Sequence, residues 1–170
     1  MKMTMKPLKG LIWDNQMLAF GDTKEAVEQL LGKAQIWGTS LYYFHNVMRL
    51  DFDDDGGLEF IEFLSPGKDI SVEIYGMDPF AANANDVIAM LAKKNDGKVT
   101  DHDNGYCVTF AEISVGVYRD SIPEDAADYA SEAEAGGEPL SDEEYEAELA
   151  KANHWETIGF GVKGYYDRRL

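Results

Sequence analysis

Short apolar runs alternate along the chain with clusters of Gly, Asp and Asn, and their spacing predicts strands with a few helices between them. Residues 8–20 read as a strand-like piece that ends at Gly21. A helix follows over 23–31: Asp22 or Thr23 can cap it, Glu25 stands three after Asp22, and Val27, Leu30 and Leu31 form one stripe before Gly32. Residues 40–44, 48–52 and 58–63 are aromatic and partly alternating, the pattern of half-buried strands. This half reads β-α-β-β-β.

The second half runs in the same order. Residues 70–76 alternate, and residues 85–95 carry Val87, Ile88, Met90 and Leu91 at helical spacing before Gly97. Residues 106–110 and 113–118 are strands close enough for a hairpin, and residues 155–162 supply the last strand. The prediction is one α+β domain over 1–170, a mainly antiparallel sheet of six or more strands with helices 23–31 and 85–95 on one face. A duplicated β-α-β-β-β unit, with repeats at 8–66 and 68–170, is one way to parse that order, and an unrepeated α+β chain is the other. The core is expected to join Val27, Leu30, Leu31, Val87, Ile88 and Leu91 to Phe20, Phe52, Phe60, Phe110 and Val115.

Charge separates one segment from the rest. The chain has 170 residues with 15 Lys and Arg against 32 Asp and Glu, a formal net charge of −17. Of those acids, 12 lie in the insertion at about 120–150, which holds no basic residue, so the remainder carries 20 acidic against 15 basic. Residues 126–139, rich in Ala, Glu and Gly, read as a mobile loop. Residues 141–152 read as a short amphipathic helix, with Ser141 and Glu144 in capping-box spacing and Tyr145, Leu149 and Ala152 on one side.

Two motifs bear on chemistry. Residues 51–62 spell a calcium loop, with Asp51, Asp53, Asp55, Gly56 and Glu62 at its diagnostic places, and alternate carboxylates plus a turning glycine are what calcium requires. The loop resembles an EF-hand, which also needs a helix on each side. Here Pro66-Gly67 stops an exiting helix and Tyr42-Tyr43-Phe44 precedes in place of one, so a hairpin with Asp53, Asp54 and Asp55 in an exposed turn is the favoured reading over calcium binding. Residues 159–164 match the spelling Gly-x-Gly-x-x-Gly, but only six residues follow, too few for the helix a dinucleotide needs; the glycines read instead as marks of a bulge or a tight strand contact.

No catalytic serine elbow, metal-spaced histidine pair or activated cysteine is spelled out, so the chain is read as a non-enzyme that calls for no cofactor. Cys107, the single cysteine, stands in an alternating apolar run, predicting a buried free thiol and a reducing compartment. The first ten residues are basic but lack the apolar stretch of a secretory signal, and no run nears the roughly 20 apolar residues of a membrane span. A cytoplasmic location is expected. So strong a negative charge opposes nucleic acid and anionic membrane and favours a basic protein partner.

Charge, size and phrases such as Phe20-Gly21-Asp22-Thr23-Lys24-Glu25-Ala26-Val27 and Leu58-Glu59-Phe60-Ile61-Glu62-Phe63 give the chain its resemblance. It is similar in type to the immunity proteins of bacterial polymorphic toxin and contact-dependent inhibition systems. The resemblance implies that it binds a cognate toxin, often a basic nuclease, and covers the active site with an acidic surface. The candidate surface comprises Asp53, Asp54, Asp55, Glu143, Glu144, Glu146 and Glu148, with Tyr145 and Trp155 as apolar anchors if exposed. The alternative is a small-molecule or calcium-binding α+β domain with its pocket between the two repeats.

Overall fold

Met-Lys-Met-Thr-Met-Lys alternates strictly, and alternation is what a strand with one buried face needs. The computed structural model, which describes residues 1–168, forms a strand there, β1 (Lys2–Lys6), with Met3 and Met5 buried. Residues 8–20 fold as two strands, β2 (Gly10–Trp13) and β3 (Gln16–Ala19), and not as one piece, because Asp14 and Asn15 both take positive φ and close a tight hairpin. β8 (Ser71–Ile74) lies parallel to β1 and completes a four-stranded sheet in the order β3-β2-β1-β8.

The larger sheet has eight strands. The first half supplies β4 (Gln35–Trp37), β5 (Ser40–Tyr43), β6 (Met48–Phe52) and β7 (Leu58–Leu64) as an antiparallel meander. The second half supplies β9 (Thr100–Asp101), β10 (Cys107–Phe110), β11 (Val115–Tyr118) and β12 (Thr157–Gly161). The two sets meet where β7 pairs antiparallel with β12, giving the order β4-β5-β6-β7-β12-β11-β10-β9. Each set follows one helix, α1 (Lys24–Leu31) or α2 (Ala84–Lys94), and contains one strand more than the unit read from the sequence, because β4 and β9 are edge strands of three and two residues.

One face of the eight-stranded sheet is the core face. A row of cross-strand neighbours, Leu41, Leu50, Ile61, Phe160, Val115 and Phe110, runs across six of its strands and packs with Val27 of α1, Val87 and Leu91 of α2, and Met3, Met5, Leu11 and Val72 of the smaller sheet. Leu30, Leu31, Ile88, Phe20 and Phe52 are only partly buried against this core. Phe60 is a correction: it is buried, but its position opposite Asp51 turns it to the other face, beneath Arg49.

Capping fixes the helices. Thr23 caps α1, its hydroxyl accepting from Ala26 N, while Asp22 accepts instead from Ala19 N and so forms no box with Glu25. The segment expected to be a loop is also a correction: Pro123–Ala135 is a helix, α3, with Pro123 in its first turn and the Asp125 carboxylate accepting from Ile122 N. Its many alanines favour helix, and Gly136-Gly137, the second at φ 81°, end it. α4 (Asp142–Ala152) begins with the expected reciprocal Ser141 and Glu144 box. α3 and α4 pack on each other as a helical hairpin between β11 and β12. Among the described residues no helix is long and apolar enough to cross a membrane.

Candidate protein-binding surface

The acidic helical hairpin is fastened at its base by a few strong contacts. Arg119, 7% exposed, donates from Nη1 to the carbonyl of Ala152 at the end of α4 (2.5 Å) and from Nε to that of Gly105 (3.0 Å). Its guanidinium lies 4.7 Å from the Trp155 ring centroid, and burial pulls its pKa down against the opposing pull of Glu124 and Asp101. The Tyr106 hydroxyl donates to both oxygens of Asp125 (2.7 and 2.6 Å), chiefly for which reason its pKa is pushed up to about 12 and that of Asp125 is lowered.

The sequence-predicted surface divides. Glu143 and Glu146 are exposed on α4. Glu144 is engaged in its cap, and Glu148 pairs with Lys151 (3.1 Å). Trp155 is 2% exposed and donates from Nε1 to the carbonyl of Ala84, so it is a core anchor of the hairpin and offers nothing to a partner. Tyr145 is half-buried in the crease between α3 and α4, beside Ala130, Pro139 and Leu140. Tyr129 of α3, 52% exposed, is the large aromatic the hairpin presents to solvent.

Residues 53–57 form the expected hairpin turn: Asp53 Oδ1 accepts from Asp55 N and Gly57 N, and Asp53, Asp54 and Asp55 are exposed. Asp51 and Glu62, the first and last places of the calcium-loop spelling, instead stand on neighbouring strands on either side of Arg49. The turn leads into the first residue of β7, whereas the helical hairpin rejoins the sheet where Thr157 pairs with the last residue, Leu64. The two acidic features therefore leave the sheet at opposite ends of a strand about 20 Å long.

The other face of the large sheet carries residues that periodicity alone does not single out. Cross-strand neighbours Tyr42, Arg49, Glu62, Gly159, Gly116 and Thr109 form its central row. Arg49 lies 3.3 Å from Asp51 through Nε and 3.3 Å from Glu62 through Nη1, with its guanidinium 5.6 Å from the Phe60 ring centroid. Arg49 Nε is buried and makes no aligned hydrogen bond, while Asp51 also accepts from Ser40 Oγ (2.5 Å). Burial pushes the Glu62 carboxyl above its usual range, Arg49 pulls it down and Asp51 pushes it up again.

The chain's final described residues cross this face. Tyr165 stacks on Phe60 (4.3 Å between centroids, 5° between planes), and Tyr166 sits edge-on to both. Glycine makes room for them: a Cβ at Gly116 would collide with the Tyr166 ring, one at Gly159 with Phe60, and one at Gly161 would lie 2.8 Å from Tyr165 Cβ. That is the tight contact expected of the Gly-x-Gly spelling. Beside the stack remains a cavity of about 190 Å³ lined by Arg49, Phe60, Glu62, Thr109, Tyr118 and Thr157 among others. Cys107 reaches its wall partly buried, where a buried thiol is expected from the sequence; burial and then Asp101 and Asp103 raise its pKa. Toward β4 the same face shows Tyr42, Trp37 (72% exposed) and Leu64.

No protein-family model, curated protein or solved structure matches the chain.

Proposed function

We propose that the chain is an acidic protein-binding module of the cytoplasm, an immunity-type protein that neutralises a basic toxin domain by occupying its cationic surface. The observation that carries this reading is the α3–α4 hairpin, an excursion from the sheet that carries 11 carboxylates against the single Lys151 near its end. Carboxylates gathered on one projecting element raise the encounter rate with a positive surface by orders of magnitude at low ionic strength, and aromatic and arginine contacts then set how long the complex lasts. Trp37, Tyr42, Arg49 and Tyr118 on the open sheet face are of the residue types that dominate such contacts.

The test is association with the basic product of the adjacent gene at two salt concentrations, for the parent and for a variant with Glu143, Glu144, Glu146 and Glu148 changed to Gln. Glutamine still serves in the capping box, so the helix survives the change. Association of the variant is expected to be several-fold slower near 10 mM salt, where the screening length is about 30 Å, with the difference shrinking near 1 M, where it is about 3 Å. Absence of binding, or equal association rates at low salt, would overturn the proposal.

A further inference from the structure

The cavity on the open sheet face suits a particular chemical group. Its polar lining is the Arg49 guanidinium and the Glu62 carboxylate, and Asp51, paired with Arg49 outside the cavity, leaves this three-residue cluster one negative charge in excess. Burial holds the Glu62 carboxyl above its ordinary range with Arg49 3.3 Å away, and a further positive charge beside it would favour its ionised form. Its apolar part is aromatic: the edge of Phe60, whose faces are covered by Tyr165 and Arg49, and the exposed ring of Tyr118 at the wall. An open ring beside a carboxylate matches a planar cation, which stacks through its face and bonds through its edge. The size is restrictive as well, since about 190 Å³ is below the roughly 300 Å³ at which cavities begin to enclose drug-sized molecules. An anion would have to enter against the net charge of −17.

We infer that this cavity receives a basic side chain, arginine in preference to lysine, inserted by the protein partner, with Glu62 bonding the guanidinium and Tyr118 stacking on it. The inference rests on the reading of the chain as a binder of a basic protein and deepens it: the helical hairpin attracts, and the sheet cavity anchors. The negative charge of the cluster and of the whole chain, the open Tyr118 ring and the small volume together select a cationic side chain over an anionic metabolite or a nucleotide.

The experiment uses the full chain, isotope-labelled, and titrates it with N-acetylarginine amide, N-acetyllysine amide and N-acetylglutamate amide while amide resonances are followed. The expected result is saturable shifts at Thr109, Gly116 and Gly159 with the arginine probe, weaker ones with lysine and none with glutamate. Glu62→Gln is expected to weaken the arginine probe about tenfold, the worth of a charge-assisted hydrogen bond. Thr157→Arg, on the cavity wall, tethers a competing guanidinium and keeps the test decisive if the first variant does not fold; it should exclude the free probe. Saturation by the glutamate probe, no saturable shift with arginine, or full binding by both variants would overturn the inference. If the basic partner still associates with the usual salt dependence while these amides stay unmoved, the anchor fails and the acidic module stands; if neither the probe nor the partner binds, both fail.

Discussion

At Gly159 a hydrogen atom decides what the open face can hold. A methyl group there would strike Phe60, which is held between Arg49 and Tyr165. Gly159→Ala is therefore expected to lower stability by about 1–3 kcal/mol, the usual cost of overpacking, measured by urea unfolding. Tyr106 gives a pH prediction. Its folded pKa of about 12 exceeds the ordinary 10.0, so its stabilising contribution is complete below pH 10 and is lost as the pH climbs from 10 to 12. Asp125 acts in the opposite range: its pKa is lowered, so its contribution is present above the ordinary carboxylate value and is lost as the pH falls below it. Carbon-13 resonances of the Tyr106 ring should titrate near 12 in the parent and return toward 10 in Asp125→Asn; an unchanged midpoint would show that the hydrogen bond does not hold the proton.

Among elements, the helical hairpin depends most on a single residue. Arg119→Ala removes two hydrogen bonds from a charged donor and the ring contact with Trp155, for an expected loss of about 2–4 kcal/mol. Amide exchange should show α4 opening ahead of the core strands in the parent, and earlier still in the variant. If Arg119→Ala unfolds at the parent's urea midpoint, the hairpin is fastened elsewhere. Which elements could be read from the sequence follows from where their signals lie. α1, α2 and α4 carry apolar stripes between caps, and β5, β6 and β7 are aromatic and partly alternating, so local pattern sufficed. β1 alternates just as plainly, but its methionines and lysines also look like an unstructured start. α3 was hidden because alanine and glutamate make good helix and good linker alike, and only Pro123 with Asp125 marks its start. The open face was illegible for another reason: Arg49, Glu62, Gly116 and Gly159 come together only through the pairing of β7 with β12, and no local spacing encodes that pairing.

The molecule as a whole joins two antiparallel meanders along one seam, β7 against β12, strands that lie about a hundred positions apart in the chain. Synthesis runs in one direction, so β7 exists long before its neighbour does. Throughout that interval the first meander presents an uncovered edge of Leu58, Phe60, Ile61 and Phe63 with unsatisfied amides, a template for pairing with any other nascent strand. The segment made immediately before β12 is the acidic hairpin, so the still-incomplete chain gains most of its like charge just when it is most exposed to intermolecular pairing, and that charge keeps copies apart until the seam closes. A chain stopped at residue 155 should accordingly self-associate through β7, seen as concentration-dependent growth in light scattering, and should do so faster when its acidic residues from 124 to 148 are changed to their amides. Release of a monomeric, non-aggregating fragment would show that the edge is protected in another way. On this account the carboxylates proposed above to draw a basic partner serve first as a guard on the ribosome against each molecule's own siblings.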